Sequence, residues 1–194
     1  MTPFVAGGLA VATAGLGFGL LRPDGDNNPG TLPTPGTSAP FNPEAPIDVR
    51  QEGLRVLGLC NDIMVDSEVR KAVQTTLAGD IASTVDCWWA DESYPHVVAS
   101  FSDENSNELV MTVTAPQSSE WRSNPGQERI EIPGAPEAYG STIAPNHAWV
   151  IIAKENPNTV ITLSYKPDAG LASATLQDVE NVYHTAGVIA TNHF

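Results

Sequence analysis

Apolar positions recur along this chain with more than one period, and the changes of period mark out its elements. Ile47, Val49, Leu54, Val56, Leu57 and Leu59 partly alternate and are interrupted by Gly53 and Gly58, so residues 47–59 read as extended or as a short helix. A clearer helix begins at Asp66 or Ser67, either of which can cap the free amides of a first turn. It carries Val69, Val73 and Leu77 at helical spacing and stops at Ala78-Gly79. Strand signals follow, with a short aromatic run over 85–89. Val97, Ala99 and Phe101 then alternate with Val98, Ser100 and Ser102, and beyond a polar turn at 103–107 so do Leu109, Met111 and Val113 with Val110, Thr112 and Thr114. Residues 149–153 and 159–165 predict a second hairpin across 154–158. A last helix is expected from Thr175, with a capping box to Asp178 and a stripe of Leu176, Val179, Val182, Tyr183, Ala186 and Ile189. Helix, strands, helix without repeated βαβ units predicts an α+β domain over 47–194, an antiparallel sheet with helices on one face.

The stretch before this domain has a different character. Residues 4–21 form a run of 18 without a charge. As a helix they would span about 27 Å, enough for a bilayer core. Residues 1–22 are therefore expected to be a single-span anchor, with a cleaved signal peptide as the competing reading. Gly8 and Ala12, and Gly15 and Gly19, lie four apart. On a helix that spacing gathers small side chains on one face, where another membrane helix can approach. Residues 23–46 contain seven prolines and no apolar period, the composition of a semi-rigid spacer. The order anchor, spacer, domain places the C-terminal domain outside the cytoplasm, on the cell membrane.

Charge narrows the partners. Of 194 residues 23 are acidic and 9 basic, a formal net charge of −14. Such a surface repels phosphate backbones, so nucleic acid is not an expected partner, and membrane contact must come from hydrophobic insertion. In an oxidising compartment the two cysteines, Cys60 and Cys87, are expected to pair. That bridge would tie the lead-in of the first helix to the first strand.

Catalytic and metal chemistry find little to stand on. His96, His147, His184 and His193 share no ligand spacing, and no metal or cofactor is expected. The turn at 103–108 opens like a calcium loop but has Glu108 where glycine belongs and Thr114 where the bidentate glutamate belongs, so it reads as a solvated hairpin turn. No nucleophile elbow, phosphate loop or dinucleotide fingerprint occurs, and the chain is expected not to be an enzyme. Trp88 and Trp89 are neighbours, so on a strand one faces the core and one the outer surface. Trp89, together with Trp121 in a Pro/Ser/Asn-rich loop, is the candidate for partner contact.

Cys60 before a capped helix, Asp86-Cys87-Trp88 at the first strand, and Pro136-Glu137-Ala138-Tyr139-Gly140-Ser141 as a turn before paired strands and a closing helix give the domain a familiar layout. It resembles the exported lipoprotein-type domains of unknown function found in actinobacteria. The resemblance covers roughly 58–190 and brings no catalytic residues with it. Those lipoproteins carry a lipid-modified Cys after the signal, whereas here no Cys precedes Cys60, and a peptide anchor takes its place. The overall design is similar to single-span accessory subunits of the actinobacterial respiratory supercomplex, which joins cytochrome bcc to cytochrome oxidase. The expected function is thus a non-catalytic accessory or assembly subunit of a membrane complex. The alternative is a cell-envelope domain that binds a peptide, lipid or glycan as a small ligand.

Overall fold

The computed structural model describes residues 48–91, 94–123, 127–140, 147–155, 157–168 and 173–194. The expected anchor with Gly8, Ala12, Gly15 and Gly19, and the spacer after it, lie outside the described residues. No helix among the described residues is long and apolar enough to cross a membrane.

Asp48 opens helix α1 (Val49–Val65), its carboxylate accepting from the amides of Arg50 and Gln51 at 3.1 Å. Of the two readings of 47–59, extended or a short helix, the structure shows helix from Val49 on, as the first part of a 17-residue helix that runs through Cys60. The two glycines weaken the local signal for a reason of packing at one of them. A methyl group on Gly53 would overlap the Trp89 ring, with Cε2 only 2.8 Å away, so that position stays glycine at a cost in helix propensity. Asp66 ends α1 in an extended conformation and caps α2 (Ser67–Leu77), accepting from the amides of Glu68 and Val69 as expected. Ala78, at φ 57°, turns the chain left-handed, and the Ala78 and Gly79 amides close on the carbonyls of Thr75 and Gln74.

Seven strands follow: β1 (Ser83–Asp91), β2 (His96–Ser102), β3 (Glu108–Thr114), β4 (Glu128–Arg129), β5 (Glu137–Gly140), β6 (Ala148–Lys154) and β7 (Thr159–Lys166). They form one antiparallel sheet in the order β1-β2-β3-β7-β6-β5-β4, so two meanders meet where β3 pairs with β7. Both expected hairpins are present, β2–β3 and β6–β7. The segment at 136–141, expected as a turn, is corrected: Glu137–Gly140 is strand β5. The turn lies just before it, at Gly134, whose φ of 80° and approach to the Thr191 amide (2.7 Å from an added Cβ) exclude a side chain. The last helix, α3 (Leu176–His193), opens on the expected capping box between Thr175 and Asp178.

The alternation on the strands decides where the core sits. Phe101, Met111, Leu163 and Ile152 point to one face and are fully buried against Val56, Ile63, Leu77, Val182 and Ile189 of the helices. The three helices thus share that face of the sheet. Thr76 and Thr185, both buried, satisfy each other at 2.9 Å where α2 meets α3. The Cys60–Cys87 disulfide is formed. It ties the body of α1, rather than a lead-in to the first helix, to β1.

Candidate interaction surface

The other face of the sheet carries no α-helix among the described residues, and the strand register fixes what it presents. One row runs Trp88, Val98, Thr112, Thr162, Ile151, Tyr139 and Arg129 across all seven strands. The next runs Val85, Ser100, Val110, Ser164 and Trp149. Short hydroxyl side chains, Ser100, Thr112, Thr162 and Ser164, hold much of the middle. The apolar groups collect at its two ends, and the two ends are treated differently.

At the β4–β6 end the loop after β3 folds over the sheet. Trp121, in a 3₁₀ turn at Glu120–Ser123, packs with Tyr139 and Trp149 over Ile151, Ala153 and Val160. Its ring meets Tyr139 edge to face at 5.8 Å, and the Arg122 guanidinium lies 4.5 Å from its centroid. Arg122 in turn donates to both carboxylate oxygens of Glu137 at 2.7–3.0 Å, and the Tyr139 hydroxyl donates to Glu137 Oε1. Arg122, and after it Tyr139, holds the Glu137 carboxyl below the usual glutamate range, while the same contacts raise the Arg122 guanidinium and the Tyr139 phenol. Trp121 is therefore a half-buried cover for a small second apolar cluster, with its backbone carbonyl taken up by Gln127 Nε2.

At the β1 end nothing among the described residues folds over. Trp88 is 50% exposed and Val85 is 51% exposed on neighbouring rows. Trp89, the tryptophan expected to meet a partner, faces the helices instead. Its ring rests on Gly53 of α1, and its Nε1 donates to the Tyr94 carbonyl at 3.0 Å. The structure separates the pair as strand geometry requires, but the outward member is Trp88. Nothing local in the sequence supports the choice of Trp89 over Trp88, because the register slips between Val85 and Trp88 and that bulge decides which of the two turns inward.

The other candidate groups have structural employment. His193 Nε2 lies 3.0 Å from Asp66 Oδ2, and Asn192 donates to the same oxygen, tying the end of α3 to the α1–α2 junction. Asn192 first, then the Glu68 amide, holds the Asp66 carboxyl below its ordinary value. Asp103 accepts from the Asn105 and Asn107 amides and from Asn107 Nδ2, so its carboxylate closes the β2–β3 turn. Among the described residues no cluster of three His, Cys, Asp or Glu has the geometry of a metal site. A hollow of about 350 Å³ opens between α1 and the β6–β7 turn, lined in part by Leu54, Leu59, Pro157 and Phe194. Its cationic neighbours are engaged, Arg55 with Glu52 and Thr159, and Lys154 with the Phe194 carbonyl.

No protein-family model, curated protein or solved structure matches this chain.

Proposed function

We propose that the chain is a membrane-tethered, non-catalytic accessory or assembly subunit whose C-terminal domain binds another protein outside the cytoplasm. The observation that carries this reading is the pair Trp88 and Val85, half-exposed on neighbouring rows at the β1 end of the outer sheet face. Tryptophan is the side chain most enriched among energetically dominant interface contacts. The membrane half of the proposal rests on the uncharged run at residues 4–21 and the small-residue spacing of Gly8, Ala12, Gly15 and Gly19. The disulfide, of a kind that persists in oxidising compartments, supports the placement outside. A respiratory supercomplex is the first assembly to look for.

The test is a mild-detergent pull-down of the tagged full-length chain from its own membranes, with mass spectrometry of what accompanies it. Stoichiometric recovery of membrane-complex subunits is expected, with loss on replacing Gly15 and Gly19 by leucine. Recovery of the chain alone overturns the proposal. The second reading, an envelope domain for a small ligand, draws on the hollow beside Leu54, a residue 57% exposed at its rim. It gains if the chain is recovered alone with a lipid or glycan retained in native mass spectrometry.

A further inference from the structure

The two edges of the sheet are not alike. On one side the sheet ends in β4, two residues long, with Pro133 a few positions beyond it. On the other it ends in β1, nine residues long, whose outer side pairs with nothing among the described residues. Edge strands are ordinarily blunted by charge, above all lysine, by proline, by bulges or by shortness. β1 reads STVDCWWAD: it is long and has neither lysine nor proline, and the charges on it, Asp86 and Asp91, are both negative. Its pairing with β2 slips twice, between Trp89 and Asp91 and between Val85 and Trp88, the second at the point where Cys87 is bridged to α1. That bridge holds the strand against the domain, so its free N–H and C=O groups are presented on a fixed support.

Charge says what could lie there. Residues 80–114, which run from just before β1 to the end of β3, contain seven Asp or Glu and no Lys or Arg. Asp86 sits on β1 itself, exposed and next to Trp88 in the bulge. The basic residues of the domain are elsewhere, and several are already engaged, Arg55 with Glu52, Lys71 with Glu68 and Arg122 with Glu137. A second copy would bring the same acidic edge against this one, and like charges facing each other across a strand pair are destabilising.

We infer that β1 is a docking edge for an extended, lysine- or arginine-rich segment of a partner protein. The segment adds as an eighth strand, with an apolar side chain on Trp88 and Val85 and its cations toward Asp86 and the acidic β1–β3 half. Main-chain pairing supplies affinity in such strand addition, and alternate side chains supply the selection. This rests on the reading of the domain as a binding module and deepens it by naming the partner's chemistry.

The probe is a blocked nine-residue peptide of alternating lysine and valine. Its controls are a glutamate–valine counterpart and a lysine–valine version N-methylated at alternate residues. Each is titrated against the full chain in an uncharged detergent, read by peptide anisotropy and by amide exchange. Saturable binding of the lysine peptide is expected, at least about ten-fold tighter than either control, with slowed exchange in 83–91. Trp88→Ser and Asp86→Lys should each weaken it by roughly ten-fold, and Asp86→Lys should do so without lowering the melting temperature, since the Asp86 side chain is exposed. Absence of saturable binding, indifference to N-methylation, or protection appearing elsewhere overturns the inference. So does concentration-dependent self-association that Trp88→Ser abolishes, which would make the occupant a second copy. Membrane subunits that still co-purify with Trp88→Ser, while the peptide fails to bind, refute this edge and leave the accessory reading standing. Peptide binding without any co-purifying subunit does the reverse.

Discussion

Alanine in place of glycine inside a helix ordinarily stabilises by roughly 1 kcal/mol, because glycine loses more backbone freedom on folding. Helix α1 offers two such substitutions a little over a turn apart, and the structure assigns them opposite signs. At Gly58 an added Cβ meets nothing within 4 Å, so Gly58→Ala should gain about 0.5–1 kcal/mol. At Gly53 the same atom overlaps the Trp89 ring. That ring has little freedom to withdraw, since its Nε1 is bonded to the Tyr94 carbonyl and its own strand is bridged to α1 through Cys87. Overpacking of this kind costs about 1–3 kcal/mol, and displacing the indole forfeits roughly another 1 kcal/mol of hydrogen bonding. Set against the propensity gain, Gly53→Ala should destabilise by about 1–3 kcal/mol. The two variants should therefore lie roughly 3 kcal/mol apart, or about 6–12 °C in melting temperature for a domain of this size. Urea and thermal unfolding of the full chain, followed by circular dichroism at matched detergent, measures both. The double variant Gly53→Ala/Trp89→Leu should recover part of the loss, because the smaller side chain vacates the contact. Equal stabilisation by both alanines would refute the packing of Trp89 on α1 and with it the assignment of Trp88 as the outward residue.

Two further outcomes are expected. Replacing Cys60 and Cys87 together by alanine opens a loop with a sequence separation of 27, which in the chain-entropy model removes about 3.5 kcal/mol. A drop of under about 1 kcal/mol in urea unfolding would show that the bridge does little for the fold. Glu137→Gln should cost about 1 kcal/mol at neutral pH, because Arg122, itself one-third exposed, loses a charged acceptor. Since the folded Glu137 carboxyl lies below its ordinary value, its contribution is complete above the unfolded glutamate range of about 4.3 and is lost as pH falls through the folded value. The stability gap between wild type and Glu137→Gln should hold steady above about pH 5 and close below about pH 4. A gap that stayed constant down to pH 3 would sink the assignment.

Where a local signal and a tertiary requirement agreed, the sequence was readable. Asp66 and Thr175 cap helices by chemistry that needs no distant partner, and the β2–β3 and β6–β7 hairpins join strands through short turns. Legibility failed where a distant residue set the local choice. Gly53 looks like a helix breaker until Trp89 is placed beside it, 36 positions later in the chain. Strand β5 is four residues long and becomes a strand only because β6 pairs with it. Trp121 was readable as a loop aromatic but not as the cover of a cluster on the far face, because Tyr139, Trp149 and Ile151 come from later strands. Nothing local distinguishes Trp88 from Trp89, and the bulge that does so is a property of the β1–β2 ladder.

The meeting of the two meanders at β3 and β7 has a consequence for how the chain is made. Until β7 exists, β3 is itself an edge, with Leu109, Met111 and Val113 on one side of it and no neighbour beyond. Thr159, the first residue of β7, comes 45 residues after Thr114, the last of β3. At a synthesis rate of about 5–20 residues per second, that leaves one edge of an apolar strand unpaired for roughly 2–9 s, longer than hairpins take to form. During that interval the unfinished chain is an aggregation-prone species, and the acidic stretch that includes β3 keeps one copy from pairing with the next.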